Sequence, residues 1–434
     1  YLEDKGIAAS QAEIRRLTVG CTGIKRTTGQ HPGGIVVLPK GEDINRFTPL
    51  QHPADDAKSG IITSHFEVSD MHDTLVKLDI LGHVDPTVIR MLEDMTGVNA
   101  RRVPITDEKI ISLFSSTEAL GITPEDINSP VGTFGLPEFG TSFVRQMLDE
   151  TRPTSMSELI RIAGLSHGTD VWLGNAQDLI RDGVTTLREA ICTRDDIMNY
   201  LMKKMEPIDA FKIMESVRKG KGLVLKGAGD MEPKMREAGV DEWFIDSCKK
   251  IGYMFPKAHA AAYVMMGLRI AWFKVYRPEA FYATYFTART GTDFDASVML
   301  GDDKSVRAAL AEYGRRGKLN PREKSIVAAL EVIVEMHARG IEFAPIDLYE
   351  SDATRFTLCD RGVRPPFTAI AGLGENVARG IAEGRKEGGP FRSVEDFRKR
   401  THAGKSVVEL LRSFGVLRGL HESNQMNLLE NLDL

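Results

Sequence analysis

The segment Leu75-Val76-Lys77-Leu78-Asp79-Ile80-Leu81-Gly82 constrains the fold more than any other part of the chain. It reads as a strand with apolar residues on both faces, and such strands are normally covered on both sides of a sheet. A buried carboxylate is costly unless a metal, a cation or several donors stabilise it. The sequence therefore predicts a covered strand and a partner for Asp79. A carboxylate that only caps the turn at Gly82, or pairs with a nearby lysine, is the alternative.

Length and composition indicate a large protein with more than one core. A chain of 434 residues with 42% hydrophobic residues can form roughly two to four domains. Its cysteines lack metal-ligand spacing, which argues against a zinc site and against a disulfide framework: Cys21, Cys192, Cys248 and Cys359. No signal peptide or segment of bilayer length is evident, so the sequence predicts a soluble, cytoplasmic protein without membrane contact.

The charge is uneven along the chain. Residues 361–420 hold 12 Lys or Arg against 6 Asp or Glu, a local charge of +6, although the net charge of the whole chain is −5. Such an excess is most often a solvated face, but it is also typical of surfaces that bind phosphates. Composition alone does not decide between the two.

The periodicity of apolar residues predicts an α+β chain that is mostly helical. Residues 1 to about 84 combine a helix with strands, residues 85 to about 288 are mainly helical, and the last compact unit begins near residue 365. The predicted helices are Gln11–Thr18, Asp85–Met95, Thr141–Thr151, Ser155–Ile162, Val306–Tyr313 and Pro321–Arg339. The predicted strands are Gly34–Leu38, Thr74–Leu81 and Ile341–Ala344.

The C-terminal unit, at about 365–420, carries the clearest motif. Phe367 to Ala382 reads as an apolar turn, the hairpin Gly372-Leu373-Gly374 and a helix, which is the helix-hairpin-helix pattern. Its glycines let backbone N–H groups approach a phosphate at a helix N-terminus, and such contacts hold duplex DNA without reading its sequence. An ordinary tight turn is the alternative. The flanking cations favour DNA: Arg379, Arg385, Lys386 and Arg392.

A second, degenerate copy of this motif is predicted at Val407 to Leu417, where one glycine of the pair is missing. Two further glycine-rich segments carry cations. Lys25 to Gly34 combines two cations, two hydroxyls and an imidazole with a double glycine, as phosphate-binding loops do, although it matches no standard nucleotide motif and a plain hairpin connection stays open. Arg218 to Gly222 is more typical of solvated surface.

The helical stretch contains two unusual clusters. Gly164 to Gln177 is rich in hydrogen-bonding groups, which suits a loop that lines a cleft, and a capped loop between helices is the alternative. In Phe255 to Tyr263, His259 and Tyr263 share one helix face at i,i+4, and Lys257 does not join them. A helix start with Lys and His can meet phosphates. A buried helix with close packing at its alanines is at least as compatible with the pattern.

These segments resemble one family in order and spacing. The alpha subunit of bacterial DNA polymerase III has similar segments in the same order, and their amino-acid sequences are most similar to its PolC type. The segments are Lys25–Gly34, Leu75–Gly82, Gly164–Gln177, Gly252–Tyr263 and the Gly372 hairpin. The resemblance covers essentially the whole chain. Because the sequence starts at Tyr1 without a methionine or cap, it is expected to be the C-terminal part of a longer protein.

The resemblance implies template-directed nucleotidyl transfer. In this family, three aspartates of a polymerase-beta-like nucleotidyltransferase palm hold two Mg²⁺ ions, which activate the primer 3′-hydroxyl and stabilise the leaving pyrophosphate. Asp79 corresponds to the third aspartate and is the implied catalytic residue and metal ligand. The other two form an Asp-x-Asp pair that is expected outside this chain. Asp293-Phe294-Asp295 follows Asp79 and reads as a solvated linker.

The resemblance also implies the parts of the chain and their residues. Residues 1–84 would be the C-terminal part of the palm, 85–288 helical fingers, 289–420 a duplex-binding domain and 421–434 a tail. The implied dNTP- or phosphate-binding residues are Lys25, Arg26, His31, Gly33 and Gly34 in the palm and Ser166, His167, Gly168, Asn175, Lys257 and His259 in the fingers. The implied DNA-binding residues are Gly372, Gly374, Arg379, Arg385 and Lys386.

The tail is similar to the clamp-binding peptide of bacterial polymerases. Within Gln425-Met426-Asn427-Leu428-Leu429, the residues that would dock are Gln425, Met426, Leu428 and Leu429. Met426 and Leu429 replace the more usual Leu and Phe, which bears on affinity. The implied partners are primer-template DNA, dNTP, the sliding clamp (beta subunit) and other replisome subunits.

Alternatives of a different class remain. The fragment would be inactive alone, because several parts of the family's proteins are expected outside this chain. These parts are the first half of the palm, the thumb and the oligonucleotide-binding, exonuclease and phosphoesterase-like domains. The fragment could instead be a non-catalytic module that binds DNA and the clamp. Within the enzyme family, a DnaE-type alpha subunit is the nearest rival, and that type usually continues past the clamp motif.

Overall fold

The computed structural model of the chain describes residues 4–24, 27–71, 73–80, 82–225, 227–290 and 293–424. The chain divides into two units, residues 1–83 and residues 84–434. The prediction of an α+β chain that is mostly helical is confirmed.

The smaller unit contains two short antiparallel strand pairs. Its elements are α1 (Gln11–Cys21), β1 (Gly34–Val37), β2 (Leu50–Gln51), β3 (Thr63–Ser64), α2 (Val68–Met71) and β4 (Val76–Asp79). β1 pairs with β4 and β2 pairs with β3. Helix α1 begins where the Ser10 hydroxyl accepts the N–H of Glu13, an N-cap that satisfies one of the first free donors of the helix.

The larger unit begins with a helical region. Its helices are α3 (Asp85–Thr96), α4 (Glu108–Ser112), α5 (Pro124–Ile127), α6 (Ser142–Thr151), α7 (Met156–His167), α8 (Gln177–Arg181), α9 (Arg194–Leu201), α10 (Pro207–Val217), α11 (Glu232–Glu237), α12 (Glu242–Lys250), α13 (Lys257–Tyr276) and α14 (Pro278–Thr287). A hairpin of β5 (Val224–Leu225) and β6 (Gly229–Asp230) follows α10.

Helix α13 lies at the centre of this region. It packs against α7, α14, α4 and α3. Its residues are apolar on most sides, and a helix of that kind is buried because no face can be left to water. Val264, Leu268 and Ala271 are all fully buried.

The rest of the larger unit adds helices around a three-stranded sheet. The elements are α15 (Ala296–Met299), α16 (Asp303–Arg315), α17 (Pro321–Ala338), β7 (Glu342–Phe343), β8 (Thr357–Cys359), β9 (Gly362–Arg364), α18 (Glu375–Gly388), α19 (Val394–Thr401) and α20 (Lys405–Ser413). In the sheet, β9 lies between β7, to which it is parallel, and β8, to which it is antiparallel. The rings of Phe286, Phe294, Phe343 and Phe356 pack together beside it.

A buried ion pair joins α13 to α17. Nζ of Lys274 lies 2.8 Å from a carboxylate oxygen of Glu335, and both side chains are fully buried. Lys274 also donates to the carbonyl oxygens of Gly132 and Phe134, and the Tyr282 hydroxyl donates to Glu335. Every strong hydrogen-bonding group of the pair is therefore satisfied, which is the condition for burying charge.

The predicted helices are present with shifted ends. The helix predicted at Ser155–Ile162 continues to His167, so the first part of the segment Gly164–Gln177, predicted as a loop, is helical. Its later part, Trp172–Ala176, is a turn closed by the Ala176 N–H and the Val171 carbonyl oxygen, and Leu173, Gly174 and Asn175 in it have non-helical backbone angles. No helix in the described part of the chain is both long and apolar enough to cross a membrane.

Candidate functional site

Asp79 lies at the end of β4, opposite Gly34 of β1. The prediction that its strand is covered on both faces is wrong: the Asp79 side chain is 46% exposed, and Val76 and Leu78 are exposed as well. The physical reason is that, within the described residues, β4 has β1 as its one partner strand in a two-stranded sheet. The carboxylate therefore meets water and is not buried.

A lysine on the same face of β4 holds this carboxylate. Nζ of Lys77 lies 2.8 Å from Oδ1 of Asp79, and Nε2 of His31 lies 3.9 Å from the same oxygen. The hydrogen bond from Lys77 is the largest cause that lowers the pKa of Asp79; the charges of Lys77 and His31 add to it, and partial desolvation opposes them. The lysine predicted as the alternative partner is thus Lys77. Its position two residues before Asp79, on the same strand face, was the available signal.

The glycine-rich loop before β1 is folded around His31. Nδ1 of this ring accepts the N–H of Gly33 at 3.2 Å and that of Gly34 at 2.6 Å. Because Nδ1 accepts, the neutral ring carries its proton on Nε2, which faces Asp79. A Cβ atom on Gly34 would lie 2.6 Å from Cε of Lys77 and 2.8 Å from His31. The structure thus brings His31, Gly33, Gly34 and Asp79 together, whereas Lys25 and Arg26 lie outside the described residues.

The donor chemistry at Asp79 suits Mg²⁺, which prefers carboxylate oxygens. The number of ligands does not suffice. Among the described residues, no group of three or more His, Cys, Asp or Glu side chains is arranged to hold a metal ion. These residues can therefore supply one ligand of such a site.

In the larger unit, the C-terminal end of α7 presents Ser166 and His167. Nδ1 of His167 lies 2.8 Å from the Ala163 carbonyl oxygen and 2.9 Å from the Ser166 hydroxyl. Its Nε2 lies 2.8 Å from a carboxylate oxygen of Glu138, a residue that sequence reasoning missed because it is distant along the chain. The hydrogen bond with Glu138 is the largest cause that raises the pKa of His167.

Gly168 closes this end of α7 against a neighbouring segment. A Cβ atom there would lie 2.3 Å from a methyl carbon of Val171 and 3.0 Å from the carbonyl oxygen of Tyr253. The next residue, Thr169, donates its N–H to that same carbonyl at 2.9 Å. Gly168 is thus needed for close packing of two segments that both carry predicted site residues.

The N-terminal end of α13 lies next to His167. The rings of His167 and Phe255 are stacked at 4.8 Å, and Phe255 meets the edge of His259. His259 and Tyr263 lie 4.5 Å apart, as their i,i+4 spacing predicted. Ser166, His167, Gly168 and His259 are thereby brought into one region.

Two of the predicted nucleotide-binding residues have other partners. Nζ of Lys257 lies 3.2 Å from Oδ1 of Asp196. Asn175 is only 1% exposed, and its amide donates to the carbonyl oxygens of Asp170 and Ser247. Asn175 therefore supports the turn at Trp172–Ala176 from the interior, and its role in nucleotide binding stays a prediction.

The first helix-hairpin-helix joins a 3₁₀ turn at Phe367–Ala369 to α18. Gly372 has a φ of 89°, a left-handed conformation that favours glycine. Leu373 is buried, and Gly374 is the N-cap of α18. A Cβ atom on Gly374 would meet nothing within 4 Å, so this backbone is open to an approaching group.

The second hairpin joins α19 to α20 and repeats this geometry. His402 has a φ of 54°, Ala403 is buried, and Gly404 is the N-cap of α20 with open space around its Cα. The position predicted for the second copy, Val407 to Leu417, is therefore wrong. One glycine of the pair is indeed missing from the second copy, and His402 stands at its left-handed position. A non-glycine residue tolerates this conformation at some cost in backbone strain.

The cations around the hairpins have different environments. Arg379 pairs with Glu375 on the surface of α18, and Lys386 is exposed. Arg385 donates to the carbonyl oxygen of Leu348 at 2.9 Å, so its guanidinium has a partner within the fold, and its role as a DNA contact stays a prediction. Beside the second hairpin, a surface cavity of about 640 Å³ is lined by cations that the sequence did not single out: Arg398, Lys399 and Lys405. The clamp-binding residues predicted in the tail, Gln425, Met426, Leu428 and Leu429, lie outside the described residues.

Three family models match the chain in the order of its parts. Residues 2–82 match the bacterial DNA polymerase III alpha NTPase domain, residues 85–239 match the bacterial DNA polymerase III alpha subunit finger domain, and residues 340–426 match the helix-hairpin-helix motif. The fold and these matches define the chain as part of a bacterial DNA polymerase III alpha subunit.

Relatives specify the type. Proteins named DNA polymerase III PolC-type are 56% identical in Caldanaerobacter subterraneus subsp. tengcongensis, 53% in Clostridium perfringens and 51% in Staphylococcus aureus strain MRSA252, each over 99% of this chain. The chain belongs to the PolC type of the family. It spans about 30% of the length of these curated relatives.

Proposed function

We propose that this chain is part of a replicative DNA-directed DNA polymerase, which adds dNMP to a primer 3′-hydroxyl under the direction of a template. The observation that carries the proposal is the ionised, accessible carboxylate of Asp79 at a strand end, beside His31 and Lys77, in the segment that matches the alpha NTPase domain. The proposed parts are residues 1–84 of the palm, 85–288 of the fingers, 289–420 for duplex binding and the tail 421–434.

Asp79 is the proposed catalytic residue and metal ligand. Two Mg²⁺ ions, when bound, would activate the hydroxyl nucleophile and stabilise the departing pyrophosphate. The lowered pKa of Asp79 keeps its carboxylate ionised and therefore competent as a ligand. The remaining ligands of this two-ion site are proposed to lie outside this chain, so the chain alone would not catalyse the reaction.

Residues proposed to bind dNTP or phosphate lie in each of the two units. In the palm these are His31 and the glycine-rich loop, with Lys25 and Arg26. In the fingers they are His167, Lys257 and His259, with Ser166 and Gly168. His167 and Lys257 each lie within ion-pair distance of a carboxylate, Glu138 and Asp196 respectively. A triphosphate would therefore compete with these carboxylates for the same cations.

Duplex DNA is proposed to lie against the two hairpins. Gly374 and Gly404 each begin a helix, where free N–H groups and the helix dipole favour an anion. We retain Gly372, Arg379 and Lys386 as proposed contacts and add the second hairpin with Lys405. Contacts of this kind hold the DNA backbone whatever its base sequence, as a replicative polymerase requires.

The tail is proposed to bind the sliding clamp, and other replisome subunits would assemble with the whole protein in the cytoplasm. In the intact chain, Gln425→Ala should abolish clamp binding measured by surface plasmon resonance, while duplex binding stays unchanged. Clamp binding that survives this substitution would remove the tail from the proposal.

Primer extension tests the catalytic assignment. The chain is combined with the upstream part of a PolC-type polymerase, and Mg²⁺-dependent extension is measured for the wild type and for Asp79→Asn. We expect Asp79→Asn to abolish extension without loss of duplex binding. The matched control is Asp73→Asn, an exposed aspartate of the same unit, which should leave extension intact.

Two outcomes would contradict the proposed polymerase activity or the role of Asp79 in it. Extension that persists in Asp79→Asn contradicts the role of Asp79 as a ligand. If the wild-type combination binds duplex DNA and the clamp yet extends no primer, the chain acts as a non-catalytic binding module.

A further inference from the structure

A cavity of about 730 Å³ lies beside the first hairpin. Residues 370–375 of the hairpin line one part of it. The remaining lining includes Thr290 after α14, Arg322 at the start of α17, Arg355 before β8, and Thr368. Elements far apart along the chain therefore meet at the backbone of this hairpin.

Arg322 and Arg355 are unlike the neighbouring arginines. Both are exposed, and in the part of the chain that the structure describes neither guanidinium has a hydrogen bond or an ion pair with another residue. In contrast, Arg379 pairs with Glu375, and Arg400 pairs with Asp396. Two uncompensated guanidinium groups thus line one cavity.

The carboxylates of the cavity do not neutralise these two charges. Asp295 accepts the N–H and the hydroxyl of Ser297 as the N-cap of α15, and Glu375 pairs with Arg379. In addition, the Thr368 hydroxyl oxygen is buried without a hydrogen-bond partner among the described residues. The cavity therefore combines excess positive charge with an unsatisfied hydroxyl group.

The hairpin contributes further donors. The N–H groups of Gly374, Glu375 and Asn376 precede the first backbone bonds of α18, which begin with the N–H groups of Val377 and Ala378, and they have no acceptor among the described residues. Such N–H groups at the start of a helix of this length favour an anion. Guanidinium groups match phosphate oxygens in two-point hydrogen bonds.

We propose that Arg322 and Arg355 complete a phosphate-binding site with the first hairpin, so that one stretch of duplex DNA backbone is bound by hairpin N–H groups and by two arginines from outside the hairpin. The inference rests on the duplex binding proposed above and extends it. Arg322 belongs to α17 and precedes the segment 340–426 that matches the helix-hairpin-helix motif. The DNA-binding surface would therefore reach beyond the motif itself.

Salt-dependent duplex binding by the intact chain tests this site. The affinity for a blunt duplex of about 20 base pairs is measured by fluorescence anisotropy at several salt concentrations for the wild type, Arg322→Gln, Arg355→Gln and the double variant. Each lost phosphate contact should lower the slope of log affinity against log salt by about 0.9. We expect each single variant to weaken binding by about ten-fold at low salt.

Arg361→Gln is the matched control, since Arg361 is an exposed arginine in the turn between β8 and β9 and does not line the cavity. It should leave the slope and the affinity unchanged. Thermal unfolding of all variants should match the wild type, because neither Arg322 nor Arg355 has a partner to lose. Arg322→Lys and Arg355→Lys keep the charge and should recover most of the slope.

The outcomes separate this inference from the function on which it rests. If the wild type binds the duplex and the Arg322 and Arg355 variants keep its affinity and slope, the site is wrong while duplex binding stands. The same conclusion follows if Arg361→Gln lowers the affinity and the slope as much as either variant does. The loss would then come from the lower net charge of the chain and not from a contact in the cavity. A wild-type chain that does not bind the duplex contradicts both proposals.

Discussion

His167 lies between two hydrogen-bond acceptors, a carbonyl oxygen and a carboxylate. Its Nδ1 lies 2.8 Å from the Ala163 carbonyl oxygen, which can only accept, and its Nε2 lies 2.8 Å from the Glu138 carboxylate. Two acceptors at hydrogen-bond distance favour the protonated ring, and the pKa of His167 is accordingly raised. The backbone of Glu138 has a φ of 67°, a conformation that non-glycine residues seldom adopt.

Glu138→Gln should lower the pKa of His167 and destabilise the fold in a pH-dependent way. Since the folded pKa of His167 is raised, the stabilisation is fully present below the ordinary value of about 6.5 and is lost as the pH rises through the folded value. Because the His167 side chain is 37% exposed, we expect a loss of only about 1 kcal/mol at acidic pH.

Urea unfolding of the wild type and Glu138→Gln at intervals between about pH 5 and pH 9 measures this difference. The control is Glu125→Gln, which removes the same charge from an exposed position in α5. A stability difference that does not change with pH would show that Glu138 acts through packing and not through the charge of His167.

Lys274 illustrates the opposite case, a charge with no access to water. Burial lowers its pKa, and the charge of Glu335 opposes that effect. Lys274→Met should cost about 3–5 kcal/mol in the free energy of unfolding, because the Glu335 carboxylate would lose its cation and keep only the Tyr282 hydroxyl, and two carbonyl oxygens would lose the ammonium donor. Lys274→Met combined with Glu335→Gln should recover part of that loss. Equal destabilisation by the single and double variants, measured by chemical denaturation, would contradict this account.

At the scale of elements, the two hairpins share one backbone plan. In each, a left-handed residue is followed by a buried apolar residue and then by a glycine that caps the next helix. Because Gly374 has an ordinary negative φ and open space at its Cα, alanine fits there without a clash. The added methyl group would occupy only the space through which a phosphate approaches.

Gly374→Ala should therefore weaken duplex binding by about ten-fold, while the free energy of unfolding changes by less than about 1 kcal/mol. Gly314→Ala in α16 is the control, since its Cβ also meets nothing within 4 Å, and it should stabilise the helix without changing DNA affinity. Duplex binding by anisotropy and thermal unfolding provide the two measurements. If Gly374→Ala binds DNA as tightly as Gly314→Ala, the first hairpin does not contact the backbone.

At the scale of the whole molecule, local sequence patterns predicted the helices well, but contacts between residues far apart in sequence could not be predicted. The helix at Pro321 follows from the capping box of Asn320 and Glu323, both of which are local. The partners Glu138 of His167 and Asp196 of Lys257 are far apart in sequence, so no spacing rule could find them. The exposure of Asp79 was missed because an apolar strand predicts burial only if other elements cover it. The roles of the predicted site residues remain predictions.

The two units differ in how much core each contains. In the described part of residues 4–83, Met71 and Leu75 are the buried hydrophobic residues, whereas the continuous core of the larger unit extends from Leu92 to Leu417. A unit of about 80 residues needs a larger core to fold stably alone. The β1–β4 pair should therefore open locally far more often than the centre of α13.

Hydrogen exchange followed by mass spectrometry on the intact chain tests this difference. The amides of Ile35 and Leu78 are hydrogen-bonded in the strand ladder, since this pair lies two positions along from the hydrogen-bonded pair Gly33 and Ile80, and those of Val264 and Leu268 are in a buried helix. Both sets are hydrogen-bonded, so any difference in protection reports the stability of the surrounding core and not the presence of the bond. We expect the strand amides to exchange at least about 100-fold faster. Equal protection would mean that the smaller unit is stabilised by more than its own side chains, and the accessibility of Asp79 would then need to be measured directly.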